Sequence, residues 1–257
     1  MKRIIIVVLI FLSVFAVNAQ SVDYLGKAKK NYAEGNCKLA KVYLDLYVEL
    51  GGAVDKAVRD FSAEVDKCLE DKDKGSSEKG KHNSHEYVDL GLSVKWATCN
   101  VGASKPEDYG NYYAWGETST KSSYTSDNCK TYRKSMGDIK ANSKCDAARA
   151  NWGGTWRLPT EAELKELENR CTWTWTTQNG VKGHKVTGPN GNSIFLPAAG
   201  YRCGSSLNNA GECGYYWSST PGESGSVGAY GLGFGSGWHY VYDYSRYNGL
   251  SVRPVLE

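Results

Sequence analysis

Residues 156–164 read WRLPTEAEL, a turn that leads into a helix. Thr160 and Glu163 have the spacing of a capping box, in which each side chain satisfies a free backbone amide of the first helical turn. Leu164 and Leu167 give this helix its apolar face. The stretch therefore predicts a capped helix in the middle of the C-terminal part of the chain.

Two short strands flank this helix at a distance, at 87–97 and 250–255. Both are rich in Val and Leu and alternate with period two, which is typical of strands. Because they lie at the two ends of one segment, they predict a sheet in which the ends of a domain lie side by side. The pattern predicts an α+β domain over residues 85–257.

Further motifs run through 85–257, and together they resemble one known family. The motifs are LGLSVKWATCNVGA, EDYGNYYAWGET, NWGGTWRLPTEAEL, IFLPAAGYR, GYYWSST and LSVRPV. They resemble the Fibrobacter succinogenes major paralogous domain of Bacteroidetes-type bacteria, which is similar to the formylglycine-generating-enzyme/C-type-lectin fold. The resemblance implies a C-type-lectin-like domain with few regular elements and long loops. It implies little about the ligand, because the family is named for its abundance and not for an activity.

The N-terminus has the features of an export signal. Lys2 and Arg3 precede the apolar run 4–17, and Ala19 occupies the small-residue cleavage position. The run is short for the ~20 residues that a spanning helix needs, although a retained anchor is the alternative. We expect a signal peptide over 1–19 and an exported protein that is periplasmic, at the cell surface or secreted.

The charge balance gives no reason to expect nucleic acid or an anionic membrane as a partner. The chain has 31 Lys and Arg against 28 Asp and Glu, and removal of Lys2 and Arg3 leaves 29 against 28, a net charge of +1. A content of 40% hydrophobic and 23% charged residues fits a globular protein. With 29 Gly, 18 Tyr and 8 Trp against 5 Phe and 2 Met, the composition favours a loop-rich fold with exposed rings.

Residues 21–70 predict a separate helical module. Apolar positions recur at i, i+3 and i+4 with two glycine-containing breaks, which predicts three short helices that resemble a tetratricopeptide-type pair. Such a module could bind a protein partner or serve as a spacer. Residues 71–84 are charged and small and predict a flexible linker. His82 and His85, at its end, lack the further ligands that a metal site needs.

The eight cysteines of an exported chain predict disulfide bonds, because none belongs to a C-x-x-C pair. One bond is expected to join the ends of two antiparallel helices of the module. The others follow from spacing within 85–257. The predicted pairs are Cys37–Cys68, Cys99–Cys171, Cys129–Cys145 and Cys203–Cys213.

The sequence offers no convincing catalytic set. Formylglycine-generating enzymes, which WRLPTEAEL also resembles, need a reactive cysteine pair near the C-terminal end, and the last cysteines here are Cys203 and Cys213. The glycine-rich run 231–237 has strand periodicity and leads into no helix, so it is not a phosphate loop. The acidic-amide triplets of calcium-dependent lectins do not occur. We expect no catalytic residues, bound metal or cofactor.

Residues 238–248 read WHYVYDYSRYN and concentrate rings just before the final strand. In an extended segment, four of them fall on one side. Tyr and Trp offer large contact area at little entropic cost, as in binding surfaces. The fold is also similar to the variable proteins of diversity-generating retroelements, whose ligand-contacting positions lie in the comparable place. The predicted ligand-binding residues are Trp238, Tyr240, Tyr242, Tyr244, Arg246, Tyr247 and Asn248.

These observations predict an exported, non-catalytic binding protein that recognises a protein or glycan at the cell surface. Two alternatives stay open: an enzyme of the formylglycine-generating or hydrolytic type, and a structural envelope component whose helical module docks to a partner. Aromatic residues can also serve simply to fill a core. We expect this of Trp96, Trp115, Trp152, Trp156 and Trp217.

Overall fold

The computed structural model of the chain describes residues 23–75 and 79–257. Contacts between Cα atoms divide the chain into two compact units, with the division after Gly75. The predicted signal peptide at 1–19 lies outside the described residues. The chain is mixed α and β, with helices alone in the first unit and sheets in the second.

The described residues of the first unit, 23–75, form three helices: α1 at 23–33, α2 (Cys37–Glu49) and α3 (Lys56–Gly75). They pack small and apolar side chains against one another. Helix α3 continues to Gly75, so the segment 71–75 is helical where a flexible linker was predicted. No helix in the described part of the chain is both long and apolar enough to cross a bilayer. The buried residues of the apolar cluster that the three helices form are Ala28, Ala40, Leu44, Tyr47, Val58 and Val65.

A disulfide bond closes the helical unit, as predicted. Cys37 is the first residue of α2, and Cys68 lies in α3. Their sulfurs are bonded, with the Cα atoms 6.1 Å apart and a sequence separation of 31. The bond therefore joins the two helices that flank the glycine-containing break.

Residues 79–257 of the second unit form two helices and twelve strands, and the strands are arranged in four sheets. The sheets are β1-β2-β3-β12, β9-β10-β11, β4-β5-β6 and β7-β8. The elements are β1 (Lys79–His82), β2 (His85–Val88), β3 (Lys95–Ala97), α4 (Ala147–Trp152), α5 (Glu161–Arg170), β4 (Thr172–Gln178), β5 (Val181–Thr187), β6 (Ser193–Pro197), β7 (Tyr201–Cys203), β8 (Ser206–Asn208), β9 (Gly214–Pro221), β10 (Gly228–Gly235), β11 (Trp238–Ser245) and β12 (Val255–Leu256).

The first sheet brings the ends of the second unit together. Val255 of β12 pairs with Trp96 of β3, as the two terminal strand patterns predict. Strand β1 is a correction to the sequence interpretation, because it occupies part of the predicted linker 71–84. It forms a hairpin with β2 through Asn83 and Ser84, whose positive φ values of 46° and 70° are those of a tight hairpin turn.

Helix α5 begins with the predicted capping box. The Glu163 amide donates to the Thr160 hydroxyl at 3.2 Å, and the Thr160 amide donates to the Glu163 carboxylate at 2.8 Å. Arg157 also donates to both oxygens of Glu163, at 2.8 and 2.7 Å. The cap is therefore tied to the turn that precedes the helix.

Two larger apolar clusters and one smaller one form the core of the second unit, and the β9-β10-β11 sheet contributes to both larger clusters. Trp217 and Ala229 belong to one cluster, whereas Leu232 and Phe234 belong to the other. Strand alternation explains this division, since neighbouring residues point to opposite faces. The five tryptophans expected in the core are all buried: Trp96, Trp115, Trp152, Trp156 and Trp217.

The three disulfide bonds predicted for the second unit are not formed. The hairpin β7-β8 shows one reason. Cys213 lies at its base, where its carbonyl accepts from the Gly200 amide at 2.7 Å, whereas Cys203 pairs with Ser206 near the tip. Three residues of strand separate the two positions, which is about 10 Å. The free cysteines are Cys99, Cys129, Cys145, Cys171, Cys203 and Cys213.

Candidate functional site

Strand β11 carries four aromatic rings on one face, here called the aromatic stripe: Trp238, Tyr240, Tyr242 and Tyr244. The Trp238 and Tyr240 rings stack with their centroids 4.8 Å apart. The Tyr242 ring meets the rings of Tyr240 and Tyr244 edge to face, with centroids 6.2 Å apart in each pair. These are favourable separations for aromatic pairs, so each ring is held by its neighbour.

Glycines of β10 make room for the stripe. A methyl group on Gly233 would collide with the Tyr244 hydroxyl, and one on Gly235 would lie 2.6 Å from the indole nitrogen of Trp238. These two rings therefore lean over β10, which is possible because Gly233 and Gly235 have no side chains on this face. The cross-strand pairs are Gly235 with Trp238, Gly233 with Tyr240, Gly231 with Tyr242 and Ala229 with Tyr244.

The middle of the stripe is open to solvent. Tyr240 is 45% exposed and Tyr242 is 62% exposed. Trp238 and Tyr244 are half-buried at the two ends. Strand alternation places Asp243, the acidic residue of β11, on the opposite face. The stripe is thus an uncharged aromatic surface.

Two further tyrosines continue the row of rings beyond the stripe, one on β9 of the same sheet and one on β7 of the β7-β8 sheet. Tyr244 meets Tyr215 of β9 edge to face at 5.6 Å, and Tyr215 meets Tyr201 of β7 in the same way at 5.2 Å. The sequence interpretation missed Tyr201 and Tyr215, because they precede the stripe by many residues. The motif GYYWSST could have identified Tyr215, because alternation along a strand places Tyr215 on the face opposite to its buried neighbour Tyr216.

The hydroxyl of Tyr244 is buried and has no hydrogen-bond partner in the described structure. Burial raises the pKa of this phenol, and burial also raises the pKa of Tyr215 to about 12. Both side chains are therefore neutral at physiological pH. A buried hydroxyl without a partner costs roughly 1–3 kcal/mol, so the position of the Tyr244 ring is maintained against this cost by its packing.

The opposite face of β11 is fixed by packing. The His239 ring stacks on Trp173 with centroids 4.6 Å apart, and Val241 packs against the same apolar cluster. Beside them, His184 is hydrogen-bonded through Nε2 to the Gly235 carbonyl at 2.9 Å. Burial, with a smaller effect of His239, lowers the pKa of His184. Because this face of β11 packs against the protein, the stripe on the other face is directed away from these contacts.

Arg246, a predicted ligand-binding residue, is instead part of the core. Its side chain is 1% exposed, and the guanidinium donates to the carbonyls of Gly228, Thr131, Lys134 and Gly225. It also lies over the Trp115 ring, 4.2 Å from the centroid. Arg246 follows the last residue of β11, and its guanidinium is directed into the protein toward these four carbonyls.

Tyr247 and Asn248 also lie off the stripe, beyond the end of β11. Tyr247 is half-buried and meets Tyr132 edge to face at 5.3 Å, in a different aromatic cluster. The Asn248 amide donates to the Ser245 carbonyl at 3.0 Å and closes a turn. The structure therefore unites four of the seven predicted binding residues and separates the other three.

The two histidines at the end of the predicted linker have structural contacts. His82 accepts through Nε2 from the Thr155 amide at 2.9 Å, and His85 stacks on Trp152 with centroids 3.7 Å apart. Among the side chains that the structure describes, no group of three His, Cys, Asp or Glu residues is arranged to hold a metal ion.

Comparison with known proteins gives one family match. Residues 165–255 match the model of a domain of unknown function, DUF8237. This segment is about a third of the chain and contains the whole β9-β10-β11 sheet, including the stripe. No curated protein and no solved structure matches the chain.

Proposed function

We propose that the second unit is a non-catalytic binding domain that recognises a protein or glycan ligand through the aromatic stripe. The observation that carries the proposal is the exposure of Tyr240 and Tyr242, at 45% and 62%. Both rings are held in place by aromatic neighbours. Contiguous exposed aromatic area on an otherwise folded surface is typical of interaction sites.

The local construction supports the same proposal. The stripe is rigid, so little side-chain entropy is lost when a ligand covers it. Each ring of the stripe already packs against a neighbouring ring. A ligand can thus be held by contact with rings that are in place before it binds.

The setting of this domain is part of the proposal. The predicted export signal at 1–19 and the resemblance to the Fibrobacter succinogenes major paralogous domain support a role outside the cytoplasm, on a C-type-lectin-like scaffold. In this proposal the helical unit joins the binding domain to a partner or acts as a spacer.

The test compares the full chain with a variant that carries Tyr240→Ser and Tyr242→Ser. Both proteins are screened on a glycan array and against extracts of bacterial surface proteins. We expect ligands of the parent protein to lose at least about tenfold in affinity, because the two rings supply the accessible contact area. Ligands that bind both proteins equally would contradict the proposal.

A matched control is Val42→Ser in helix α2, where an apolar side chain is 52% exposed. It removes similar exposed apolar character from the other unit. Unchanged tryptophan fluorescence in both variants would show that the second unit is folded, since all eight tryptophans lie in it.

A further inference from the structure

Strand β11 is the outer strand of its sheet, and β10 is its strand partner on one side. Its eight residues, Trp238–Ser245, pair with Gly228–Gly235 in one unbroken register. In an antiparallel pair, half of the backbone groups of an outer strand point away from the partner. Apart from the turn that Asn248 makes onto Ser245, no backbone hydrogen bond joins β11 to any other described element.

This edge lacks three of the features that usually prevent strand pairing. Outer strands are commonly protected by lysine, proline or a bulge. Strand β1, also an outer strand, contains Lys79 and Lys81. Strand β11 contains no lysine or proline, and the irregular register lies between β9 and β10. The carboxylate of Asp243 accepts from the Ser224 amide at 2.7 Å and faces away from the stripe.

The edge and the stripe together indicate the class of ligand. A row of backbone N–H and C=O groups is matched by another strand, which repeats donors and acceptors with the same spacing. At about 3.3 Å per residue, eight residues present roughly 26 Å of edge. The stripe beside it is uncharged, so it favours uncharged side chains.

We propose that β11 binds an extended segment of another polypeptide as an additional strand of the β9-β10-β11 sheet, with uncharged side chains at alternate positions against the aromatic stripe. The inference rests on the proposed function and specifies its ligand. Backbone hydrogen bonds supply affinity, and the exposed rings of Tyr240 and Tyr242 select the side chains.

The probe is a displayed library of random ten-residue peptides, selected on the full chain. Enriched peptides are then synthesised with a single backbone N-methyl group at each position in turn, and affinity is measured by fluorescence anisotropy. We expect a loss of about tenfold or more at every second position, where the methyl group replaces a hydrogen bond to β11, and little change between them. The Tyr240→Ser, Tyr242→Ser variant should bind the unmodified peptides at least about tenfold more weakly.

The outcomes separate this inference from the proposed function. N-methyl scans without a period of two, combined with sensitivity to the tyrosine variant, would overturn strand addition and leave the stripe as the binding surface. The same holds if the library yields no peptide while glycans bind through the stripe. A dimer in sedimentation velocity that the tyrosine variant abolishes would make a second copy of the chain the occupant. Peptides that bind the parent protein and the tyrosine variant with equal affinity would contradict both proposals.

Discussion

The variant Arg246→Leu removes a buried cation that ties β11 to three other segments. Its guanidinium makes hydrogen bonds of 2.8, 3.3, 2.9 and 3.0 Å to four backbone carbonyls. Burial also lowers the pKa of Arg246, which shows that the charge is poorly solvated. Each charge-assisted bond contributes about 1.5–3 kcal/mol, and desolvation of the cation offsets part of the sum. Arg246→Leu leaves these carbonyls without their donor, and each buried acceptor left unsatisfied costs about 1–3 kcal/mol, so we expect a loss of about 3–5 kcal/mol in total.

The assay is urea unfolding of the full chain, followed by tryptophan fluorescence. Because all eight tryptophans belong to the second unit, the signal reports on that unit alone. Arg246→Lys keeps the charge but offers three donors without the planar fork, so we expect a smaller loss than for leucine. The order of stability should be arginine, then lysine, then leucine.

A surface role for Arg246 would give a different result. Substitutions of exposed residues usually change stability by less than about 0.5 kcal/mol. An Arg246→Leu protein that unfolds at the same urea concentration as the parent, but binds its ligand more weakly, would refute the structural role. That result would support the prediction from the sequence that Arg246 binds the ligand.

Three further predictions concern other parts of the molecule. Replacing Cys37 and Cys68 by alanine should destabilise the helical unit by roughly 3–4 kcal/mol for a loop of 31 residues, measured by far-ultraviolet circular dichroism, and leave the tryptophan transition unchanged. Burial lowers the pKa of His184, so the unfolded chain binds a proton at this residue more readily than the folded chain does. The free energy of unfolding should therefore fall as the pH drops below about 6.5, by at most about 1.4 kcal/mol per pH unit. His184→Gln should remove this part of the pH dependence, measured by urea unfolding at several pH values. Gly233→Ala should displace the Tyr244 ring and weaken ligand binding, whereas Gly237→Ala, with open space around it, should not.

The sequence by itself determined the features that depend on near neighbours. Thr160 and Glu163 form the capping box because both partners lie within one helical turn. The stripe from Trp238 to Tyr244 follows from the period of two, which fixes the side of a strand on which each residue lies. The bond between Cys37 and Cys68 was predictable because only one turn separates the two helices that carry them.

Tertiary structure decided which side chains are buried and which distant residues meet. Arg246 and the stripe are neighbours in sequence, yet the arginine enters the core because carbonyls from four other residues surround it. Tyr215 meets the stripe through the order of the strands in its sheet, and Tyr201 meets Tyr215 through the packing of the β7-β8 hairpin beside that sheet. Cys203 and Cys213 stay apart because the direction of a hairpin, and not sequence spacing, sets the distance between them. These outcomes depend on contacts between distant parts of the chain, whereas local patterns carry information only about the residues nearby.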